Sequence, residues 1–165
     1  MTSTSDVVRT MFEHHFWATG TLLDHLERSP AERLDEEIAG TYGPILKTLT
    51  HLVDADDRYL QRMAGLPWTP YVDRGAVPLE TLRADLADHE VRWRQFLEQL
   101  EAGTLRAEIR GRDGNPDIID AEGVLLLQAI QHGNDHRTHI CSTLGALGED
   151  VPDLDGWTYW AEGRS

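Results

Sequence analysis

The chain has 165 residues and carries 15 Lys plus Arg against 29 Asp plus Glu, a net charge of −14 with His neutral. A chain of this length favours a single domain, 1–165, that buries about 70% of its unfolded surface and folds without disulfides. The acidic balance repels phosphate backbones and argues against nucleic-acid binding, and no stretch of about 18 apolar residues offers a membrane span.

The N-terminal stretch MTSTSDVVRTMFEHHF has no basic patch followed by an apolar run, so a signal peptide is not expected. Ser5 or Asp6 can cap a first helix. Its apolar face is Val8, Met11, Phe12, His15, Thr19, Leu22 and Leu26, spaced three and four apart. Pro30, Gly40 and Gly43 interrupt the pattern. A second helix starts near Pro44 and stops at Gly65, with a stripe of Ile45, Leu49, Leu52, Leu60 and Met63. LPWTPYVDRGAVP reads as a loop.

The third helix begins after Pro78 and carries Leu79, Leu82, Leu86, His89, Trp93, Phe96 and Leu100 as a seam, with Gly103 as its stop. TLRAEIRGRDGNPDIID alternates polar and apolar residues around an Asp113-Gly114 turn, a pattern for two short strands or extended arms. Asp120 can cap a fourth helix running from about Ala121 to Leu147, with Gly148 just past its end. The tail holds Trp157, Tyr159 and Trp160, enough aromatic surface to dock rather than float. Trp17, on the back of the first helix, is the natural counterpart, either for that tail or for a second subunit. Four amphipathic helices with longer connections predict an all-α four-helix bundle.

QHGNDHRTHICSTLGALG, near the end of the fourth helix, raises a chemical question. His132, His136 and His139 fall within about 60° of arc at 100° per residue, on one helix face. Imidazoles four apart converge on one ion. Taken alone, such a pair is also an ordinary surface or core feature. A third nitrogen has to come from another helix, and His51 is the best candidate. It sits beside its apolar stripe, as His132 and His136 sit beside theirs. Ligands at the core margin suit a site that opens into a cleft.

Three neutral imidazoles leave positions free on Zn2+ or Ni2+ for water or substrate, the pattern of a catalytic site. Binding should weaken as pH falls through about 6. His139 shares this face as a fourth ligand, an outer group or a proton carrier. His15 and His89 lie in apolar stripes and read as hydrogen-bonded core or cleft histidines. His14 faces either cleft or solvent, and His25 the surface. Asp54 or Asp135 can orient an imidazole through its free N–H. Cys141, the only cysteine, points to the apolar side and reads as a small core residue. A lone cysteine fits a reducing compartment, so a cytoplasmic protein is expected.

Three blocks resemble the DinB/YfiT-like family of metal-dependent bacterial proteins. HHFWATGTLLDHL (14–26) is similar to the family's Tyr-x-x-Trp-Ala-x-x-x-Leu-Leu pattern. TYGPILKTLTHLVDADDRYLQRMAG (41–65) resembles the block that supplies one His ligand. HGNDHRTHICSTLGALG (132–148) resembles the closing His-x-x-x-His-Arg-Gly-Gln followed by Leu-x-x-Leu-Gly. The resemblance implies an up-down-down-up bundle, often a homodimer, with a divalent metal on three histidines, by position His51, His132 and His136. Related bundles include S-transferases that use bacillithiol or mycothiol. Two departures stand out: Thr138-His139 replaces Gly-Gln, and His14 replaces the first-helix Tyr.

The expected function is therefore a metal-dependent thiol S-transferase acting on small electrophiles in detoxification or stress. A low-molecular-weight thiol would be the cosubstrate, and His139 a proton-transfer or positioning group. The alternatives are a hydrolase using metal-bound water and a non-catalytic metal- or ligand-binding dimeric bundle. Gly133 follows His132, so no H-E-x-x-H base is available to a zincin-type peptidase.

Overall fold

The computed structural model describes residues 4–65, 72–100, 105–112 and 115–162. The expected Asp113-Gly114 turn, the Gly103 stop and the loop residues 66–71 lie outside these. Four long helices form where the apolar period predicts them: α1 (Thr4–Arg28), α2 (Ile45–Ala64), α3 (Leu79–Gln99) and α4 (Glu122–Ala146). A 3-10 turn, Ala31–Asp35, follows α1. The alternating segment before α4 pairs antiparallel as β1 (Ile109–Arg112) and β2 (Asn115–Asp120). A short α5 (Gly156–Glu162) lies in the tail. Among the described residues the fold is mostly helical, as expected, with one antiparallel strand pair.

The helix ends follow local chemistry. Pro44 and Pro78 precede α2 and α3 with φ of −52° and −54°, already set for helix entry. Gly65 closes α2 at φ 68°. After α4, Gly148 turns left-handed at φ 77°, and the N–H groups of Gly148 and Glu149 return to the carbonyls of Gly145 and Leu144. Two capping expectations fail. Ser5 and Asp6 fall inside α1 rather than before it. Asp120 does not cap α4, since the residue at that position is Ala121 and no side-chain cap bond forms. Asp120 is held instead by Arg62, 3.1 Å away, whose guanidinium also donates to the carbonyls of Ile109 and Arg110. A charged pair that fastens the hairpin to α2 outcompetes a cap.

The core is drawn from all four long helices. Leu22, Leu49, Leu82 and Leu144 are all completely buried, one from each. Trp93 of α3 is also fully buried and stacks on Phe12 of α1, with ring centroids 4.3 Å apart. Both α3 and α4 pack against α1, so its buried arc is wider than one stripe. Phe16 and Leu23 therefore join the core, while Met11, placed in the stripe by period alone, is 40% exposed.

Chain direction can be read from the charged contacts. Arg83 at the start of α3 bonds Asp24 and Glu27 at the end of α1. Arg92, late in α3, pairs with Asp57 of α2, while Val77, just before α3, bonds Thr50. Arg33 after α1 meets Glu149 after α4 at 2.8 Å.

The tail docks on α1. Trp17 Nε1 donates to Glu162 at 3.0 Å, and its ring lies 5.4 Å from that of Tyr159. His14 Nε2 meets the Leu154 carbonyl at 2.8 Å, so His14 faces the tail. Tyr159 meets the rings of His14 and Trp17, and Trp157 and Trp160 are 82% and 59% exposed.

The crossing of α1 and α4 depends on one glycine. A Cβ at Gly133 would sit 2.3 Å from His15 Cε1 and 2.6 Å from its Nδ1. Gly133→Ala should therefore destabilise the protein by about 1–3 kcal/mol through overpacking. The measurement is the urea midpoint at unchanged slope. Gly20→Ala on α1, where nothing lies within 4 Å of the added carbon, is the control and should not lower the midpoint.

Candidate metal centre

His51 leaves α2 beside the stripe of Leu49, Leu52 and Val53, and His132 and His136 leave one face of α4. Packing of α2 on α4 brings the three together. His132 Nε2 lies 3.1 Å from His51 Nε2 and 3.0 Å from His136 Nε2. One ligand atom from each ring falls within 4.8 Å of the other two. His136 is buried, and the other two are partly so.

Such a cluster is awkward for neutral rings alone. Each Nε2 offers either one hydrogen or one lone pair, and the nitrogen of His132 faces two others. A cation at the centre satisfies three lone pairs at once. Zn–N bonds of about 2.0–2.1 Å at tetrahedral angles place ligand nitrogens about 3.3 Å apart, close to the spacing seen. The three residues fit a divalent ion.

The electrostatics favour the ligand form. Burial, then the neighbouring His51, pushes His132 down to about 4. Burial, then His132 and His51, pushes His136 down to about 3. Burial also lowers His51, against the opposing pull of Asp54. All three are neutral at physiological pH, as metal binding requires.

Rings wall the cluster. Tyr42, in the turn between Gly40 and Gly43, stacks on His51 at 4.5 Å and meets His136 edge-on at 4.7 Å. Its ring is 45% exposed, so it stands at the mouth of the site. Tyr59 meets His132 edge-on at 5.7 Å. Helical period singles out neither. Tyr42 precedes its helix, and its only sequence mark is an aromatic set between two glycines.

The other sequence candidates separate. His139 lies beside the cluster, its ring 5.7 Å from that of His136, but it is not one of the three grouped nitrogens. Its Nδ1 and that of His136 are buried without a hydrogen-bond partner among the described residues. Asp54 is engaged by Arg74, which also holds Asp85 at 2.8 Å, and Asp135 is exposed. Cys141 packs partly buried against the core, and burial raises its thiol above the ordinary value. His89 is 8% exposed, and its Nδ1 has no hydrogen-bond partner among the described residues. His25 is partly buried.

His15 is 1% exposed and fully bonded, as expected of a core histidine. Its Nε2 lies 3.0 and 3.1 Å from the two carboxylate oxygens of Asp56, and its Nδ1 lies 3.2 Å from Arg137 Nη1. The geometry sets the tautomer: Nε2–H donates to Asp56, and Nδ1 accepts from Arg137. Arg137 is 4% exposed, and desolvation, opposed by Asp56, lowers it to about 10. Sequence reading missed Asp56 and Arg137. The signal for Asp56 was a gap: the α2 stripe runs 49, 52, then 60, and position 56 completes its period with a carboxylate.

Comparison with known proteins adds the family. No curated protein matches the chain. The sequence profile of the DinB family matches residues 1–164, nearly the whole length. Among the described residues no helix is long and apolar enough to cross a membrane. The chain belongs to the DinB family.

Proposed function

We propose that this protein is a metal-dependent thiol S-transferase acting on small electrophiles, with Zn2+ or Ni2+ held by His51, His132 and His136. The observation that carries the reading is the convergence of three Nε2 atoms at 3.0 and 3.1 Å steps. A bound divalent ion supplies Lewis acidity and lowers the pKa of a coordinated thiol, so a low-molecular-weight thiol is available as thiolate at neutral pH.

The chain's own groups do the rest. The three imidazoles hold the ion without adding charge, so the site stays attractive to an anionic thiolate. Tyr42 and Tyr59 lay their rings against the imidazoles and limit the directions from which a substrate can approach them. His139, with a buried ring nitrogen lacking a partner among the described residues, is the group we assign to proton transfer or substrate positioning. The α2 carboxylates nearest the cluster are engaged by Arg74 and His15, and a thiol nucleophile needs less help from a base than water does. This favours transfer over hydrolysis. The helix contacts support an up-down-down-up order: α3 opposite to α1, α2 alongside α3, and α4 alongside α1. The exposed Trp157 and Trp160 suit a homodimer contact.

Protein freed of metal and then titrated should take up one equivalent of zinc, read by elemental analysis after desalting. His136→Ala should lower that affinity at least tenfold, and His139→Ala should leave it near native while lowering thiol transfer to test electrophiles. Native protein that holds no divalent metal would overturn the reading.

The depressed imidazoles also set a pH dependence. The folded values lie below the unfolded value of about 6.5, so the unfolded chain binds protons first. Metal-free protein should keep the whole of this contribution above pH 6.5 and lose it progressively as pH falls toward 4 and 3. Urea midpoints at pH 7, 5.5 and 4.5 measure it. His136→Gln, which removes one such imidazole, should show a shallower decline than native.

A further inference from the structure

We propose that His15, on α1, which carries no ligand, is a positioning residue that bridges the two ligand-bearing helices and sets the aim of His51, His132 and His136. This rests on the metal-centre reading above. His15 Nε2 donates to Asp56 of α2 and its Nδ1 accepts from Arg137 of α4. Asp56 lies five residues after His51, and Arg137 directly follows His136. The path from His51 along α2 to Asp56, through His15 to Arg137 and back to His136 forms a closed loop. The contact among the three imidazole nitrogens is its other crossing.

The loop is pinned from outside. Arg137 Nη1 also donates to Thr19 at 2.9 Å and to the His15 carbonyl at 3.3 Å, and Nη2 donates to Asn134 at 2.6 Å. Trp93 of α3 donates to the Asp56 carbonyl at 3.0 Å. Gly133, between the two α4 ligands, leaves the space that the His15 ring fills. A rotation of α4 that re-aimed His132 and His136 would press the glycine backbone into His15 and pull Arg137 off its acceptors. His15, Asp56 and Arg137 are all nine-tenths buried or more, so water cannot substitute for the bridge. Apolar packing alone would let the helix slide; two directional bonds to one ring do not.

The test compares His15→Phe, His15→Gln and Arg137→Lys with native protein. Fold is checked by far-UV circular dichroism. Zinc affinity is measured by competition with a chromophoric chelator, and ligand geometry from the Co2+ ligand-field spectrum. His15→Phe, which fills the space without bonding, should weaken zinc binding at least tenfold and alter the Co2+ spectrum while the helical signal persists. His15→Gln, which keeps a donor toward Asp56, should recover most of the affinity. Arg137→Lys, which keeps the charge but not the fork, should weaken binding severalfold, and it carries the test if His15→Phe does not fold. A folded His15→Phe or Arg137→Lys protein with native zinc affinity and a native Co2+ spectrum would overturn the bridge and leave the metal centre standing. Native protein that binds neither ion would overturn both.

Discussion

Asp56 places a carboxylate, 2% exposed, in the middle of the helix packing. A buried carboxylate is expensive unless it is paired and hydrogen-bonded. Here α1 answers with the His15 ring, which bonds both carboxylate oxygens and is held from behind by the Arg137 guanidinium of α4. The backbone carbonyl of the same residue accepts from Trp93 of α3, so the polar bonds centred on Asp56 reach all four long helices at that level. Hydrophobic burial drives their association but is nearly indifferent to small rotations. The polar chain is not, because each of its bonds has a direction and no solvent stands ready to replace it.

The three imidazoles of the cluster sit at the same level and face the opposite problem. Without an ion they crowd lone pairs and penalise one another's protonation, so the folded chain holds them neutral at some cost to its own stability at low pH. A divalent ion relieves that conflict. Ligand-binding sites are commonly places where a structure tolerates local conflict that its partner then removes. The polar bridge and the imidazole cluster are thus complementary: the first is satisfied within the chain and rigid, the second is organised and incomplete.

Much of this was legible in the sequence because helical period is a strong signal over segments of 20 to 25 residues. Pro44, Pro78, Gly65 and Gly148 marked ends through local backbone chemistry alone. The His51, His132 and His136 grouping was reachable because two of its members share one helix face and the third sits beside a neighbouring stripe. What stayed hidden depends on pairing between elements. Asp120 reads as a cap until Arg62 claims it across 58 positions. Asp56 and Arg137 read as two more charges in a strongly charged chain, and only the helix crossing shows that they face the same ring. Tyr42 belongs to a turn with no period to place it.

The two departures from the family's usual pattern now separate physically. His14 stands where the family has Tyr, and its ring is taken up by the C-terminal segment, through the Leu154 carbonyl and Tyr159. That substitution bears on how the tail is held. His139 stands where the family has Gln, next to His136, with a buried ring nitrogen that no described residue satisfies. Gln and His can both donate and accept a hydrogen bond. The change therefore keeps the hydrogen-bonding capacity of the position and sets an aromatic ring beside His136. Of the two departures, His139 is thus the one that adjoins the imidazole cluster, while His14 adjoins the tail.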